Sequence, residues 1–161
     1  MQNAKDSFYL ALRARLGSIN PNRTVLLRGA LRPGIFVEEA EAPFAQAPMD
    51  VFVLRWLGLG VDLALSSEMA VEECEIAYST CGTQAFGGLD RGRMLSAMDK
   101  ELLAMLQPFY TPKMNNSVQP AAAMQTQVFW DEPTFAPINS QRDRLSRSAR
   151  VMVYSYQEQG E

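Results

Sequence analysis

The sequence predicts an α+β fold, a mainly antiparallel sheet with two helices packed on one face, in the order α-β-β-β-β-α-β-β. Three observations carry this. Within Leu89–Phe109, the residues Leu95, Met98, Leu102, Met105, Leu106 and Phe109 recur at three- and four-residue steps. That spacing lays them along one face of an amphipathic helix. Ala70–Thr80 alternates with a period of two, with Cys74, Ile76 and Tyr78 on one side and Glu73, Glu75, Ala77 and Ser79 on the other, as a strand with one wet face requires. The strand patterns precede the long helix in a run, so neighbours can pair as hairpins and both helices can cover the same face.

The first helix is expected over residues 4–16, where Phe8, Leu12 and Leu16 repeat every four residues and Gly17 offers a C-terminal stop. Arg13 and Arg15 suit the negative end of its dipole. Asn20, Pro21 and Asn22 punctuate a turn, after which Thr24–Leu31 reads as one strand. A Pro33-Gly34 turn and a short strand, Ile35–Glu38, follow. Glu38, Glu39 and Glu41 then fall in a loop expected to end at Pro43. Asp50–Leu57 is almost continuously β-branched and aromatic, the pattern of a strand buried on much of both faces. Gly58 and Gly60 mark either a bend before a strand over residues 61–65 or the continuation of one long strand into a projecting hairpin. Asp90 is placed to cap the long helix, and Pro108 to fray its end. Five prolines between Pro108 and Ser148 leave much of that stretch without regular structure. Thr126–Trp130 is a short strand inside it, and Pro120–Met124 a helical turn or a mobile segment. The stretch is an arm that orders against neighbouring subunits or a disordered loop. Ala149–Tyr156 closes the chain as a strand, with Val151 and Val153 on one face and Met152, Tyr154 and Tyr156 on the other.

The 161 residues suit a single domain with a core of its own, and 47% hydrophobic against 20% charged residues is the balance of a soluble globular chain. No apolar run reaches the roughly 20 residues needed to span a bilayer, and the N-terminus lacks the plan of a secretory signal, so a cytoplasmic protein without a membrane partner is expected. A net charge of −3 offers no general attraction to nucleic acid. The chain has no histidine, which removes the commonest general base and the favoured metal ligand. Cys74 and Cys81 form no CxxC pair and without histidine make no ordinary structural zinc site, so no metal or cofactor is expected.

Candidate chemistry is sparse. Glu73 and Glu75 share a strand face about 7 Å apart, near the spacing of paired glycosidase carboxylates, but a solvated acidic face is the commoner reason for such a pair. Cys81 has no basic neighbour to activate it. The GLGV run lacks the third glycine and the following helix of a dinucleotide fingerprint. Glu38, Glu39 and Glu41 lack the Asp/Asn ladder of a calcium loop and read as a solvated, charge-bearing loop. Arg142, Arg144, Arg147 and Arg150 form the one basic concentration. It fits contact with passing DNA phosphates, with acidic loops of a neighbouring subunit, or with solvent alone.

The segments ALRARLGSINP, RPGIFVEEAEAP, VEECEIAYSTCG followed by LDRGRMLSAMDKELLAML, and the closing SARVMVYSYQE resemble, in order and character, the tail terminator (tail-completion) proteins of long-tailed phages and prophages. The resemblance is one of pattern and covers most of the chain. It implies a small α+β protein with no chemistry to perform and no cofactor. Such a protein caps the tail tube as a ring, usually a hexamer, touches the tube protein and head–tail connector proteins, and lets DNA pass without reading its sequence. It works in the cytoplasm during assembly and in the virion tail afterwards. A head–tail connector, another tail-morphogenesis protein, or a small α+β enzyme or ligand-binding domain are the alternative classes. Within the ring reading, Glu38, Glu39 and Glu41 on one subunit meet Arg142, Arg144 and Arg147 on the next. Such charges would fix register while buried apolar contacts supply affinity. Reversing Arg144 and Arg147 together is then expected to weaken assembly and leave the subunit folded.

Overall fold

The computed structural model describes residues 1–41, 44, 46–62 and 68–158. Among them, eight strands form one sheet and two form a separate hairpin. The sheet runs β3 (Ile35–Val37), β4 (Phe52–Asp62), β5 (Met69–Thr80), β10 (Arg144–Tyr156), β7 (Ala122–Trp130), β6 (Tyr110–Asn115), with β8 (Thr134–Phe135) and β9 (Asn139–Gln141) also paired to β10. All its pairings are antiparallel except β3–β4, which is parallel. The α+β architecture is therefore as the sequence predicts, with a mixed sheet.

Alternation along β5 and β10 decides where the core lies. Cys74, Ile76 and Tyr78 of β5 and Ala149, Val151 and Val153 of β10 point to one face, where α1 (Gln2–Ile19) and α3 (Arg91–Met105) cover them. Phe8, Leu12 and Leu16 of α1 and Leu95, Met98, Leu102 and Met105 of α3 are completely or almost completely removed from solvent. Each such side chain contributes about 1.5–3 kcal/mol of transfer free energy. Trp130 closes the core between them. Its indole N–H donates to the Leu106 carbonyl at 2.9 Å, and Phe8 packs edge-on against its ring.

Several expectations are corrected. Thr24–Leu31 is a hairpin instead of one strand: β1 (Thr24–Leu27) and β2 (Ala30–Pro33) turn at Arg28 and Gly29, both at positive φ. This places Val25 and Leu27 on Phe36, Val51 and Val53, a second small core on the sheet's other face. Gly17 does not stop α1, which continues to Ile19. A side chain at Gly17 would approach Pro33 to 3.3 Å, so glycine there lets helix and hairpin come together. Glu38–Glu41 is a single helical turn, α2, and Pro43 lies outside the described residues. β4 is the long-strand alternative, bulged between Trp56 and Gly58 and running to Asp62 opposite Met69. The rest of the expected strand over residues 61–65 lies outside the described residues.

The proline-rich stretch is regular where irregularity is expected. It carries β6, β7, β8 and β9, all paired within the subunit, and no helical turn forms near Pro120. Pro112 is accommodated because β6 is an edge strand. The long helix is shorter than predicted at both ends. Asp90 occupies its N-cap position, but its carboxylate accepts from the Thr83 N–H and hydroxyl, both at 2.8 Å, and leaves the first turn uncapped by a side chain. Arg15 serves α3 in place of its own helix. It donates to the carbonyls of Met105, Pro108 and Tyr110 at 2.8–3.0 Å and lies over the Trp130 ring.

Candidate functional site

The sheet face away from the helices is the open one. Val53 and Arg55 of β4, Glu73, Glu75, Ala77 and Ser79 of β5, and Ser146, Ser148 and Arg150 of β10 point to it by alternation and register. A groove of about 470 Å³ crosses these strands, bounded by Ala47 and Pro48 on one side and Ala136, Pro137 and Asn139 on the other. Its floor mixes Val51, Val53 and Ala77 with serines, and several charges of the open face are paired across strands. Arg55 pairs with Glu75 at 2.6 Å, Ser148 donates to Glu75 at 3.3 Å, and Arg150 pairs with Glu73 at 3.1 Å. The two carboxylates are thus each held by their own arginine and are not a poised acid–base pair.

The six charged residues singled out from the sequence part company. Glu38 is exposed at the groove's rim. Glu39 accepts the Trp56 N–H at 2.8 Å. Glu41 is bound inside the subunit by Arg32 and by the Val37 N–H at 3.1 Å. Burial alone would raise its pKa, but Arg32, Val37 and Tyr9 hold it below the usual carboxylate range. Arg142 sits at the turn between β9 and β10 with φ 54°, where its carbonyl accepts from Arg91 at 3.2 Å. Arg144 lines the groove on the open face. Arg147 points the other way, toward α3, where it pairs with Asp99 at 2.8 Å, donates to the Ala136 carbonyl at 2.9 Å and covers the Phe135 ring. Asp99 also accepts from the Tyr78 hydroxyl. Burial first, and the Asp99 carboxylate second, push that phenol well above its ordinary range, so it remains a donor. Glu38, Arg144 and Arg147 all border one groove, but the Arg147 guanidinium is engaged with Asp99 on the core side.

Neither cysteine has catalytic surroundings. Cys74 is buried in the main core, which pushes its thiol upward, and Cys81 is half-buried. Among the described residues no three His, Cys, Asp or Glu side chains lie close enough to hold a metal ion. No described helix is long and apolar enough to cross a membrane.

Exposed apolar residues gather at both ends of the sheet, a feature the sequence reading does not single out. One end is that of Thr80 and Leu145, which are paired. Around it Met49, Phe86, Leu89 and Ile138 are exposed, Leu89 at 93%. At the opposite end, where Asp62, Met69 and Tyr156 meet, Leu59, Val61 and Val118 are exposed. Leu26 and Leu31, a cross-strand pair on the β1–β2 hairpin, are exposed as well. Turn residues and strand edges hold all of these, so no helical or core periodicity accounts for them.

No protein-family model matches the chain, and no curated protein matches it. Among solved structures, a chain in one described as "Virion of native gene transfer agent (GTA) particle" is a distant structural likeness. The match has 13% identity and a TM-score of 0.41, and covers 95% of this chain and 94% of that one.

Proposed function

We propose that this chain is a non-enzymatic structural protein of phage or prophage tail assembly, which closes the end of a tail tube as a ring, with a hexamer expected, and presents part of the surface that joins tail to head. The observation that carries the reading is the two-ended distribution of exposed apolar side chains. A tube-capping subunit must contact one partner below and a different one above, and a sheet whose two ends carry different apolar sets is suited to that. The segment order that resembles tail terminators supports the same reading. The ion-paired Glu73 and Glu75 give an enzymatic alternative little to work with.

The decisive measurement is solution mass by light scattering coupled to size exclusion, across protein and salt concentration, followed by electron microscopy of purified tail tubes with added protein. A discrete hexamer, or rings seen only at tube ends, is the expected result. Rings of another symmetry would point to a connector, and a strict monomer that ignores tubes would overturn the proposal. Among the charges, Arg144→Glu is expected to weaken assembly with the subunit's melting unchanged. Arg147→Glu is expected to destabilise the subunit itself through the lost Asp99 pair, so the double reversal cannot report on assembly alone.

A further inference from the structure

The two long edges of the sheet are treated differently. The β6 edge is closed by α1 and by its own sequence. The Ser7 hydroxyl accepts the Met114 N–H at 2.8 Å, Arg15 takes the Tyr110 carbonyl at 2.9 Å, and Pro112 has no N–H to offer. The β4 edge has no such cover beyond its first residues. β3 pairs only with Phe52, Val53 and Leu54. From Arg55 to Asp62, among the described residues, no strand lies on the outer side and the backbone's side-chain bond is the Trp56 N–H donating to Glu39.

Past the bulge at Trp56–Gly58, this open edge lacks the side chains that normally discourage strand addition. No Lys or Pro stands on Leu57–Val61, and Leu59 and Val61 are 52% and 44% exposed. Gly58 falls on the open sheet face opposite Glu73, and a side chain built on it would meet nothing within 4 Å. Gly60 is almost as free. A strand laid beside β4 would find its backbone partners ready, apolar contacts on one face and a bare strip on the other that large side chains can cover.

We infer that the β4 edge from Leu57 to Asp62 is a strand-addition site for an extended segment of a different protein, apolar in its middle and basic at its ends. Charge selects that occupant. Exposed Glu38 and Glu39 stand at the start of the edge and exposed Glu68 adjoins its finish, and nearby Arg55 is paired with Glu75 while also feeling Glu38 and Glu39, so acid is in excess there. A second copy pairing antiparallel through the same edge would bring the acidic start of one chain against the acidic finish of the other at both ends, which disfavours it. The inference holds whether or not the chain closes a ring.

The test uses the full chain and a labelled ten-residue peptide of alternating valine and tyrosine flanked by lysines, with a glutamate-flanked peptide of the same middle as control. Binding is read by fluorescence anisotropy at low and high salt, and the site by amide hydrogen exchange. The lysine peptide is expected to bind, to slow exchange within Leu57–Asp62, and to lose about tenfold in affinity to Leu59→Lys/Val61→Lys and with the acidic flanks. Both substituted side chains are exposed, and an unchanged melting curve verifies that the variant is folded. Equal binding to the variant, protection located elsewhere, or no binding of the lysine peptide would overturn the assignment. Protection of the same amides that grows with protein concentration alone would overturn it in favour of self-association.

Discussion

Removing Glu101 tests the joint between the hairpin and the second helix. Glu101 lies on α3, and Arg23 leads into β1. The Arg23 Nε and Nη2 and the Asn20 amide all donate to its carboxylate, with Asn20 at 2.8 Å and Nη2 at 3.1 Å. The side chains are only 6% and 13% exposed, so neither charge can turn to water without local opening. Glu101→Leu strands the Arg23 guanidinium. Breaking a buried pair costs about 3–5 kcal/mol, and the lower end applies because Arg23 keeps the Asp50 carbonyl at 2.7 Å and the Phe52 ring. For a chain of this size a loss of about 3 kcal/mol lowers the melting temperature by roughly 6–12 °C. Urea unfolding by circular dichroism gives the free energy directly. Arg23→Met added to Glu101→Leu should recover part of the loss, since it removes the stranded charge. A Glu101→Leu protein within about 1 kcal/mol of the parent, or a double variant whose loss is the sum of the singles, would refute the reasoning.

Three further outcomes follow from the same geometry. Arg15→Met leaves the carbonyls of Met105, Pro108 and Tyr110, from the end of α3 to the start of β6, without their donor and is expected to cost about 2 kcal/mol, read by denaturant unfolding. Native protein should react with a disulfide reagent at Cys81, with Cys74 responding only after denaturation, because burial both shields that thiol and raises its pKa. Glu158 fastens the chain's end to β7 by accepting from the Thr126 hydroxyl at 2.6 Å and the Thr126 and Gln125 N–H groups at 2.8 and 3.2 Å. The Thr126 hydroxyl, first, and these amides hold its pKa below the ordinary 4.5. The contact is therefore complete above pH 4.5 and is lost as pH falls through the lower, folded-state value. Amide resonances of Thr126 should shift in that acidic window in the parent, and a Glu158→Gln protein should show no such titration.

Much of the main core was legible because burial there follows simple periods. The helical stripe from Leu95 to Met105 and the alternation of Cys74, Ile76 and Tyr78 name the surfaces that meet. What escaped the sequence depends on partners far away in the chain. Glu101 falls on a polar face of α3 by helical spacing alone, yet Arg23 reaches it across the hairpin. Thr24–Leu31 carries a strand-like composition throughout, and only the Arg28-Gly29 pair betrays the turn. The strands between Pro108 and Ser148 were hidden because prolines rule out central strands but tolerate edges and ends, and several of these strands are short or lie at the sheet's margin.

The candidate site shows the same limit and also a way past it. The arginines from Arg142 to Arg150 look like one basic patch when counted along the chain. Val151 and Val153 set the parity of β10, however, and carrying that parity back through Ala149 puts Arg147 on the core side and Arg144 and Arg150 on the open face. The structure bears this out, with Arg147 against Asp99 and Arg150 beside Glu73. Continuing β5 in the same way assigns Glu73 and Glu75 to the open face, so the arginines and carboxylates found paired there are cross-strand neighbours on one surface. The charge left over is then the informative part. Among the described residues, Glu38, Glu39 and Glu68 outnumber the arginines near them, since Arg55 is paired with Glu75, and they stand beside the long sheet edge that α1 leaves uncovered. A surplus of one sign at an unprotected edge is what a partner of the opposite sign can use, because the backbone supplies the binding groups and the charges select which strand may take them.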